Sequence, residues 1–535
     1  MKILSIALAL AILLCAFIGC APSNNSPTGS SSSSTPKAEP SQTPDPDPDP
    51  DPDPDPDPVD ETIYMYYDDR VPVSELLGKN VETVEVKDNV VTSKKTNTDE
   101  LDAAVLRYDQ HKDRIIAAGT GTATIVADGV EYKVVVSAAP ITLVIITGHS
   151  IGYGSQGNTT DSVLCEDGQA YNTTLTLKGQ TWRNSMQGST LGYFSRDKVS
   201  NADALTSDAV EVKGTKGVAS ALAYEWNRHT GEKIWIVNCA VGGSCSSQWQ
   251  PGTDWFNFTL EAMNIASEVL KNEVAAGHYV YRTTSMINFS SANFEYQNVE
   301  YDDDKLSLWQ DGMWNGFVNY ASVDIDGDGK NDGPKSIGYV VAFSQANPKF
   351  STDAPLVYYR GASKKFSKVF VASDLPRFFD TDENIQKYFP DLNYPTRSGK
   401  TLKKPTTVAQ LWADEGKDHY SHYQQVGYNA IGFDIAKNLY NYVNKNLILE
   451  SLDVFDITNG GKFSALEESL SMKAGEKRQL VAVSVPCSVN NLDITVEGNL
   501  ELSGVFYVTA TAKGTGKIVI KQGSKVVKTI NVTIN

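Results

Sequence analysis

Short apolar runs and stretches of helical spacing alternate through the middle of the chain. Nearly continuous apolar runs, typical of strands buried on both faces of a parallel sheet, occur at 141–146, 234–239, 337–343 and 369–372. Apolar residues at helical spacing predict helices at 219–228, 258–275 and 427–442. Because strands and helices alternate, the pattern predicts an α/β domain with a parallel sheet over residues 140–448.

The segments before and after this domain have a β-strand pattern instead. Residues 119–136 and 514–532 each contain two runs rich in β-branched residues around a tight glycine turn, which predicts a hairpin. These hairpins close two segments, 59–139 and 449–535, that resemble bacterial Ig-like domains of group 2. The resemblance implies two small all-β sandwiches, which act either as spacers or in adhesion and glycan contact.

The N-terminus has the features of an exported protein. An apolar run at 3–18, too short to span a bilayer comfortably, leads to Cys20, and this pattern predicts a signal peptide over residues 1–20. The small residue before Cys20 resembles a bacterial lipoprotein processing site, which implies lipidation of Cys20 and a protein anchored to the membrane at the cell surface. Residues 21–58 are rich in Ser, Thr, Pro and Asp and end in a strict Asp-Pro repeat, which predicts an extended, disordered stalk.

Charge and cysteine content narrow the classes of function. The chain has 65 acidic and 47 basic residues, a formal net charge of −18, which argues against a nucleic-acid-binding protein because phosphate contacts need clustered Lys and Arg. The cysteines that follow the predicted signal peptide are Cys165, Cys239, Cys245 and Cys487. They are too few for a disulfide scaffold and form no zinc motif, and the sequence leaves a disulfide among the first three open.

The candidate chemistry begins where the first buried strand ends. Residues 148–152 read Gly-His-Ser-Ile-Gly, which places Ser150 on a tight turn where its hydroxyl can be exposed as a nucleophile. A nucleophilic serine needs a base, and the chain has six histidines. His419 and His422 precede the last predicted helix and are the candidates. His149 is set aside, because neighbours on a turn usually point apart.

Three motifs resemble the SGNH hydrolases, in particular the sialate O-acetylesterase-like group, carbohydrate esterase family 6. They are the block around Ser150, the segment 240–249, and His422 with the following Gly427-Tyr428. The resemblance implies a three-layer, flavodoxin-like parallel sheet. It also implies a serine esterase that acts on O-acetylated carbohydrate, either sialate or a plant or host polysaccharide, without a catalytic cofactor. An α/β-hydrolase, the competing fold for this serine motif, has several strands before its nucleophile.

The same resemblance assigns roles to further residues. His422 takes the proton of Ser150, and the backbone N–H groups of Ser150 and Gly243 face the oxyanion. Asn288, at the end of a later strand, substitutes for a side-chain donor of the family that this sequence lacks.

The family often has its acid three residues before the base, where this sequence has His419, so Asp418 is the expected acid that orients His422. Another carboxylate nearby, Asp414 or Glu415, is the alternative. Further alternatives for the mechanism are a Ser-His dyad and His419 as the base.

Two departures from the family pattern, the missing donor segment and the shifted acid, leave a second class of function open. In that class the protein is a glycan-binding or adhesin lipoprotein whose SGNH domain is inactive. All eight tryptophans lie between residues 182 and 412, so we expect sugar recognition in the central domain. The candidates for stacking on a sugar are Trp249, Trp255, Trp309 and Trp314, although we expect most of them in the core, because a large aromatic side chain is usually packed.

A separate acidic segment resembles the start of a calcium loop. Oxygen ligands recur at alternate positions, from Asp324, Asp326, Asp328, Lys330 through its carbonyl, and Asp332. The residue at the position of the final EF-hand glutamate is Lys335, so an acidic surface turn is the alternative. The pattern predicts a structural Ca²⁺ rather than a catalytic one.

Overall fold

The computed structural model describes residues 62–91, 104–154, 156–158, 160–163, 173–174, 217–240, 249–289, 316–319, 321–340, 368–379, 381–391, 393–396, 398–412, 422–456, 458, 464–489, 491–504 and 506–535. The predicted signal peptide, Cys20 and the predicted stalk lie outside these residues. Within the described part of the chain, no helix combines the length and the apolar character needed to cross a membrane.

The described residues of the first region form seven strands and one short helix. They are β1 Ile63–Tyr66, β2 Arg70–Pro72, α1 Val73–Leu76, β3 Val84–Val91, β4 Leu106–Asp109, β5 Arg114–Ala117, β6 Gly121–Ala127 and β7 Val130–Ser137. The strands form a four-stranded sheet, β1-β7-β6-β3, and a three-stranded sheet, β2-β5-β4. The hairpin predicted at 119–136 corresponds to β6 and β7, which pair antiparallel around Asp128 and Gly129. Both turn residues have positive φ, as a two-residue hairpin turn of this type requires.

The central region contains a six-stranded sheet in which every pairing is parallel. Its strands are β8 Ala139–Gly148, β9 Thr173–Thr174, β10 Lys233–Asn238, β11 Tyr279–Phe289, β12 Ser336–Val340 and β13 Val369–Ser373. The spatial order is β13-β12-β11-β8-β10-β9. Without the two-residue edge strand β9, the strands follow the order 2-1-3-4-5, and the order reverses at β8. In open α/β sheets, ligands bind at the carboxyl ends of the strands at such a reversal.

Helices cover both faces of this sheet. The helices are α2 Ser150–Tyr153, α3 Ala219–Thr230, α4 Asp254–Ala275, α5 Asp382–Tyr388 and α6 Gln425–Val443. Leu143 and Ile145 of β8 belong to one core cluster with α4, and Val144 and Ile146 belong to a second with α3 and α6. Because successive side chains of a strand point to opposite faces, the nearly continuous apolar run of β8 is explained by burial on both sides.

One predicted helix begins earlier than its apolar spacing indicated. Helix α4 starts at Asp254, whereas the prediction began at Phe258. Thr253 precedes the helix in an extended conformation, and Asp254 places a carboxylate in the first turn. A negative charge at this position interacts favourably with the helix dipole. The polar first turn therefore belongs to the helix although it carries no apolar periodicity.

The last region is again all β. Its strands are β14 Ser451–Asp456, β15 Ser464–Leu466, β16 Ser469–Met472, β17 Lys477–Val485, β18 Leu492–Gly498, β19 Leu500–Ser503, β20 Tyr507–Ala510, β21 Gly514–Gln522 and β22 Lys525–Ile534. They form one sheet in the order β15-β14-β17-β20-β19 and one in the order β16-β22-β21-β18. The hairpin predicted at 514–532 corresponds to β21 and β22. The two sheets share a core cluster of their own.

The first β-region contacts the amino ends of the central strands. Lys233, the first residue of β10, has a fully buried side chain whose Nζ lies 2.6 Å from Asp69 Oδ1. The ring of Tyr67 stacks on His278, just before β11, with ring centroids 4.2 Å apart. These contacts lie at the amino ends of the strands. The candidate catalytic residues lie at the opposite end of the sheet, where the strands have their carboxyl ends.

Candidate active site

The nucleophile candidate lies at the carboxyl end of the central strand β8. Gly148 ends the strand with φ +111°, and a Cβ at this position would overlap the backbone of Phe289 in the neighbouring strand β11. The N–H of His149 donates to the Phe289 carbonyl at 2.9 Å, so the turn is pinned to β11. The glycine therefore allows the chain to turn sharply and to present Ser150 at the start of α2.

Contacts with β10 fix the other side of the nucleophile turn. Asn238, the last residue of β10, donates from Nδ2 to the carbonyl of Gly152 at 3.0 Å and accepts the N–H of Ala240 at 3.1 Å. A Cβ on Gly152 would lie 3.0 Å from the Ala240 side chain and 3.0 Å from the Phe289 ring. The second glycine of the motif is thus explained by close packing of α2 against both neighbouring strands.

His422 meets Ser150 at this end of the sheet. The Nε2 atom of His422 lies 3.0 Å from Ser150 Oγ, although the two residues are 272 positions apart in the chain. At this distance an unprotonated Nε2 can accept the serine proton, which is the geometry required of a general base. The structure therefore brings together the two residues that the sequence assigned as nucleophile and base.

The residues that follow His422 anchor it in the core. Tyr423 is fully buried, forms an isolated antiparallel bridge with Trp412, and packs edge-to-face on Tyr428 of α6. A Cβ on Gly427 would lie 3.0 Å from Tyr423 Cβ, so the glycine allows the first turn of α6 to approach Tyr423. The glycine-tyrosine pair after His422 thus positions the imidazole through packing.

His149 is a site residue that the sequence reasoning set aside. It is the N-cap residue of α2, and its Nδ1 accepts the N–H of Ile151 at 3.3 Å. Burial, and then the nearby His422 imidazole, lower the pKa of His149 to about 3, so this ring is neutral near pH 7 and carries its proton on Nε2. The signal that could have identified it is its place directly before a short helix, where capping side chains are common.

Two of the three candidate oxyanion donors, Ser150 and Asn288, belong to the described residues. Ser150 is the first residue of α2, and the N–H of a first helical residue has no acceptor inside its helix. Asn288 is fully buried in β11, and its Nδ2 donates to Thr147 Oγ1 at 2.7 Å. The observed partner of the Asn288 amide is therefore the Thr147 hydroxyl. Gly243 lies outside the described residues.

Several other sequence assignments also lie outside the described residues. They are the orienting acid Asp418 with its alternatives Asp414 and Glu415, the alternative base His419, the cysteines Cys165 and Cys245, and the tryptophans Trp309 and Trp314. Cys239 is a buried free thiol, and burial raises its pKa, so it is a poor nucleophile. Trp249 is fully buried and belongs to the core rather than to a surface that could stack on a sugar, and Trp255 packs against the core.

The acidic segment forms a compact loop whose carboxylates cap its own backbone. Asp324 accepts the N–H groups of Gly327 and Gly329 at 2.8 and 3.0 Å. Carboxylate oxygens of Asp324, Asp326 and Asp332 lie within 4.8 Å of one another. Three such oxygens fit part of the coordination shell of a hard cation such as Ca²⁺.

The two remaining predicted ligands of this loop form a pair with each other. Asp328 Oδ2 lies 2.6 Å from Lys330 Nζ, on the exposed side of the loop. The carboxylate of Asp328 therefore pairs with the Lys330 ammonium. The carboxylate cluster contains the other three predicted aspartates.

The proteins to which this chain is similar are solved structures. No protein-family model matches the chain, and no curated protein matches it. Among solved structures, a carbohydrate acetylesterase from Xanthomonas citri is similar at 12% identity with a TM-score of 0.31, over 88% of this chain and 95% of that one. A protein from Arabidopsis thaliana is similar at 13% identity with a TM-score of 0.29, over 57% and 99%.

A third structure is the endo-β-1,4-mannanase from Thermotoga petrophila, at 10% identity with a TM-score of 0.21, over 75% of this chain and 98% of that one. All three TM-scores are low.

Proposed function

We propose that this protein is a serine esterase that removes O-acetyl groups from carbohydrate. The observation that carries the proposal is the 3.0 Å separation of Ser150 Oγ and His422 Nε2 at the carboxyl end of the central strand. This is the point of the sheet at which α/β proteins place their ligands. A hydroxyl and an imidazole in this arrangement are suited to acyl transfer.

The reaction follows from the two side chains. His422 Nε2 takes the proton of Ser150 as Oγ attacks the acetyl carbonyl carbon, and a tetrahedral oxyanion forms. When the C–O bond to the sugar breaks, the imidazolium returns the proton to the leaving sugar oxygen, and the acetyl group stays on Ser150. A water molecule, deprotonated by His422, then releases acetate and restores the serine.

The oxyanion needs hydrogen-bond donors that are in place before the reaction. We assign this role to the Ser150 N–H and to the N–H of Gly243. The amide nitrogen of Asn288 carries two N–H donors. One of them bonds Thr147 Oγ1 at 2.7 Å, and we keep the Asn288 amide as the candidate for a third donor. Asp418 remains our candidate for the group that orients His422.

The setting of the enzyme is a further part of the proposal. The predicted signal peptide and Cys20 support a lipid-anchored, extracytoplasmic protein, with the Asp-Pro stalk between the lipid and the folded regions. The two β-regions are proposed to be Ig-like spacers. We also propose that the central domain belongs to the SGNH hydrolases and that the acidic loop binds a structural Ca²⁺.

Hydrolysis of p-nitrophenyl acetate and of acetylated sugars by the purified protein tests the function. Ser150→Ala and His422→Ala should each lower kcat by roughly 10⁴-fold or more, and the double variant should lose little more, because the two residues act as a unit. Ser503→Ala and His111→Ala, exposed residues of the flanking β-regions, are the matched controls and should keep full activity.

Retention of most activity in either site variant would show that the nucleophile or the base is wrong. A wild-type protein that binds acetylated glycans but hydrolyses none of these substrates would favour the inactive, glycan-binding alternative.

A further inference from the structure

Two buried amide side chains lie at the start of α6, close after the candidate base. Gln425 is the first residue of this helix, Asn429 lies one turn further on, and both side chains are fully buried. Gln425 Nε2 donates to Asn429 Oδ1 at 2.8 Å. Side chains of these two types are mostly exposed in proteins, so their burial here indicates a specific role. We call Gln425 and Asn429 the amide pair.

The Gln425 amide holds the chain that leads into α3. Its Oε1 accepts the N–H of Gly217 at 3.0 Å, and its Nε2 donates to the carbonyl of the same residue at 2.8 Å. Gly217 stands directly before Val218, the N-cap residue of α3. The two helices approach closely again at Gly432, where a Cβ would lie 2.5 Å from the Val218 carbonyl oxygen. The first turns of α6 are thus fixed against the start of α3.

The amide pair also contacts the segment that follows the nucleophile helix α2. A Cβ on Gly157, four residues after α2 ends at Tyr153, would lie 2.6 Å from Gln425 Oε1. Asn429 Nδ2 donates to the Asp161 carbonyl in the same segment at 2.8 Å. The amide pair therefore joins the chain that leaves the nucleophile to the helix that follows the base.

The hydrogen bonds make this junction rigid. Both polar atoms of each amide in the pair are hydrogen-bonded, and a buried network whose members are all satisfied specifies one arrangement. Truncation of Gln425 would leave the N–H and the carbonyl of the buried Gly217 without this partner, which is costly. Relaxation of that cost would shift the start of α6 relative to its neighbours.

A shift of α6 would be passed on to the base. His422 precedes Gln425 by three residues, and three residues of chain span at most about 11 Å. The two residues between them are held as well, because Tyr423 is buried in the core and the N–H of Gln424 donates to the Leu411 carbonyl at 2.7 Å. The chain from the imidazole to the amide pair therefore has little slack.

We propose that Gln425 is a positioning residue, which together with Asn429 holds the start of α6 so that His422 Nε2 stays 3.0 Å from Ser150 Oγ. Acyl transfer depends on this placement, since a displacement of about 1 Å can cost roughly 10²-fold in rate. The inference rests on the proposed esterase function and adds to it a residue that acts through the base.

The test measures turnover and the reactivity of the serine in variants of the amide pair. With p-nitrophenyl acetate, Gln425→Ala should lower kcat roughly 10²-fold and leave KM nearly unchanged. Asn429→Ala should lower kcat roughly tenfold, because the contact of Gln425 with Gly217 remains. The double variant should lose little more than Gln425→Ala, since both residues act through one network.

A second readout needs no acetyl substrate. Diisopropyl fluorophosphate reacts with an activated serine, forming an Oγ–P bond as fluoride leaves and the serine proton passes to the base. The rate of this labelling of Ser150, followed by mass spectrometry, should fall in each variant by the same factor as kcat.

Asn438→Ala is the matched control. Asn438 is a buried amide of the same helix, about 20 Å beyond Gln425 at 1.5 Å per residue, and it donates to the Asp434 carbonyl at 2.8 Å. Its truncation should lower the urea midpoint about as much as Gln425→Ala does, while kcat and the labelling rate stay at the wild-type level. An equal loss of kcat in Asn438→Ala would show a general effect of stability and overturn the inference.

The remaining outcomes separate this inference from the proposed function. A folded Gln425→Ala protein with wild-type kcat and labelling rate would overturn the positioning role, and if that variant does not fold, an unchanged Asn429→Ala protein would do the same. A wild-type protein whose Ser150 is not labelled would overturn the proposed nucleophile and the inference with it. A wild-type protein that is labelled but deacetylates no sugar would contradict the proposed substrate alone, and the labelling rates would still decide the role of Gln425.

Discussion

Asp434 offers a sharp test of the packing between the central sheet and the last β-region. It lies on α6 and faces Asp374, which follows β13. Burial, and then the charge of Asp374, raise the pKa of Asp434 to about 7. Hydrogen bonds from Ser373 and Asn438 and the charge of Lys437 lower this pKa, but their effect is smaller. Asn438 donates to Asp434 Oδ1 at 2.9 Å and accepts Ser488 N–H of the last β-region at 3.1 Å.

The sign of the effect follows from proton binding. Between about pH 4 and pH 7 the folded protein keeps the proton of Asp434, whereas the unfolded chain releases it. The contribution of this group to stability therefore falls as pH rises through that window and is constant above it. A shift from 3.8 to about 7 corresponds to at most about 4 kcal/mol at 1.36 kcal/mol per pKa unit. Because Asp434 keeps partial contact with solvent, we expect about 2 kcal/mol.

Asp434→Asn imitates the neutral acid and removes this dependence. The free energy of unfolding, from urea titrations followed by tryptophan fluorescence, should match the wild type near pH 4 and exceed it by about 2 kcal/mol at pH 8. Glu261→Gln, an exposed residue of α4, is the control and should give a difference close to zero at both values. A difference that does not change with pH, or one that favours the wild type at pH 8, would refute the reasoning.

Three further predictions concern the site, the acidic loop and the anchor. His149→Ala should lower kcat roughly tenfold because the Ile151 N–H loses its acceptor, and His149→Asn should restore most of it, since Asn is a good N-cap; equal losses would contradict the capping role. Ca²⁺ should raise the melting temperature, Asp324→Asn should abolish that shift, and EDTA should leave turnover at low temperature nearly unchanged; complete loss of activity in EDTA would indicate a catalytic metal. Cys20→Ala should keep esterase activity but abolish acyl-chain labelling and stable membrane association, and unchanged labelling would rule out lipidation at Cys20.

Four strands of the central sheet, β8, β10, β12 and β13, were accessible from the sequence as apolar runs, because burial on two faces leaves a strong local signal. The run at 141–146 lies inside β8, and the run at 234–239 covers most of β10. The order of the strands was not accessible in this way. Pairing of β8 with both β10 and β11 depends on contacts between distant segments, for which local periodicity carries no information.

The site shows the same division. Ser150 and His422 were found by motif, since a glycine-flanked serine after a strand and a histidine before the last helix are local patterns. The role of His149 depends on a hydrogen bond to Ile151 and on a neighbour far along the chain, and neither follows from residue type. The residue type of Trp249 fits both a core position and a sugar contact, because aromatic residues occur in both. Only its complete burial in the structure assigns it to the core.

The junction between the first β-region and the central sheet has a consequence for how the protein can be dissected. A single residue separates Ser137, the end of β7, from Ala139, the start of β8, and the N–H of Ala139 donates to the His278 carbonyl at 2.9 Å. Proteases cleave exposed, mobile connections, and this junction offers none. A chain truncated to begin at residue 140 would also remove Asp69, whose carboxylate pairs with Lys233, and the Asp68 carbonyl that accepts the same ammonium. Calorimetry should accordingly show the first β-region and the central sheet melting together in one transition, so the central sheet has to be expressed with that region attached.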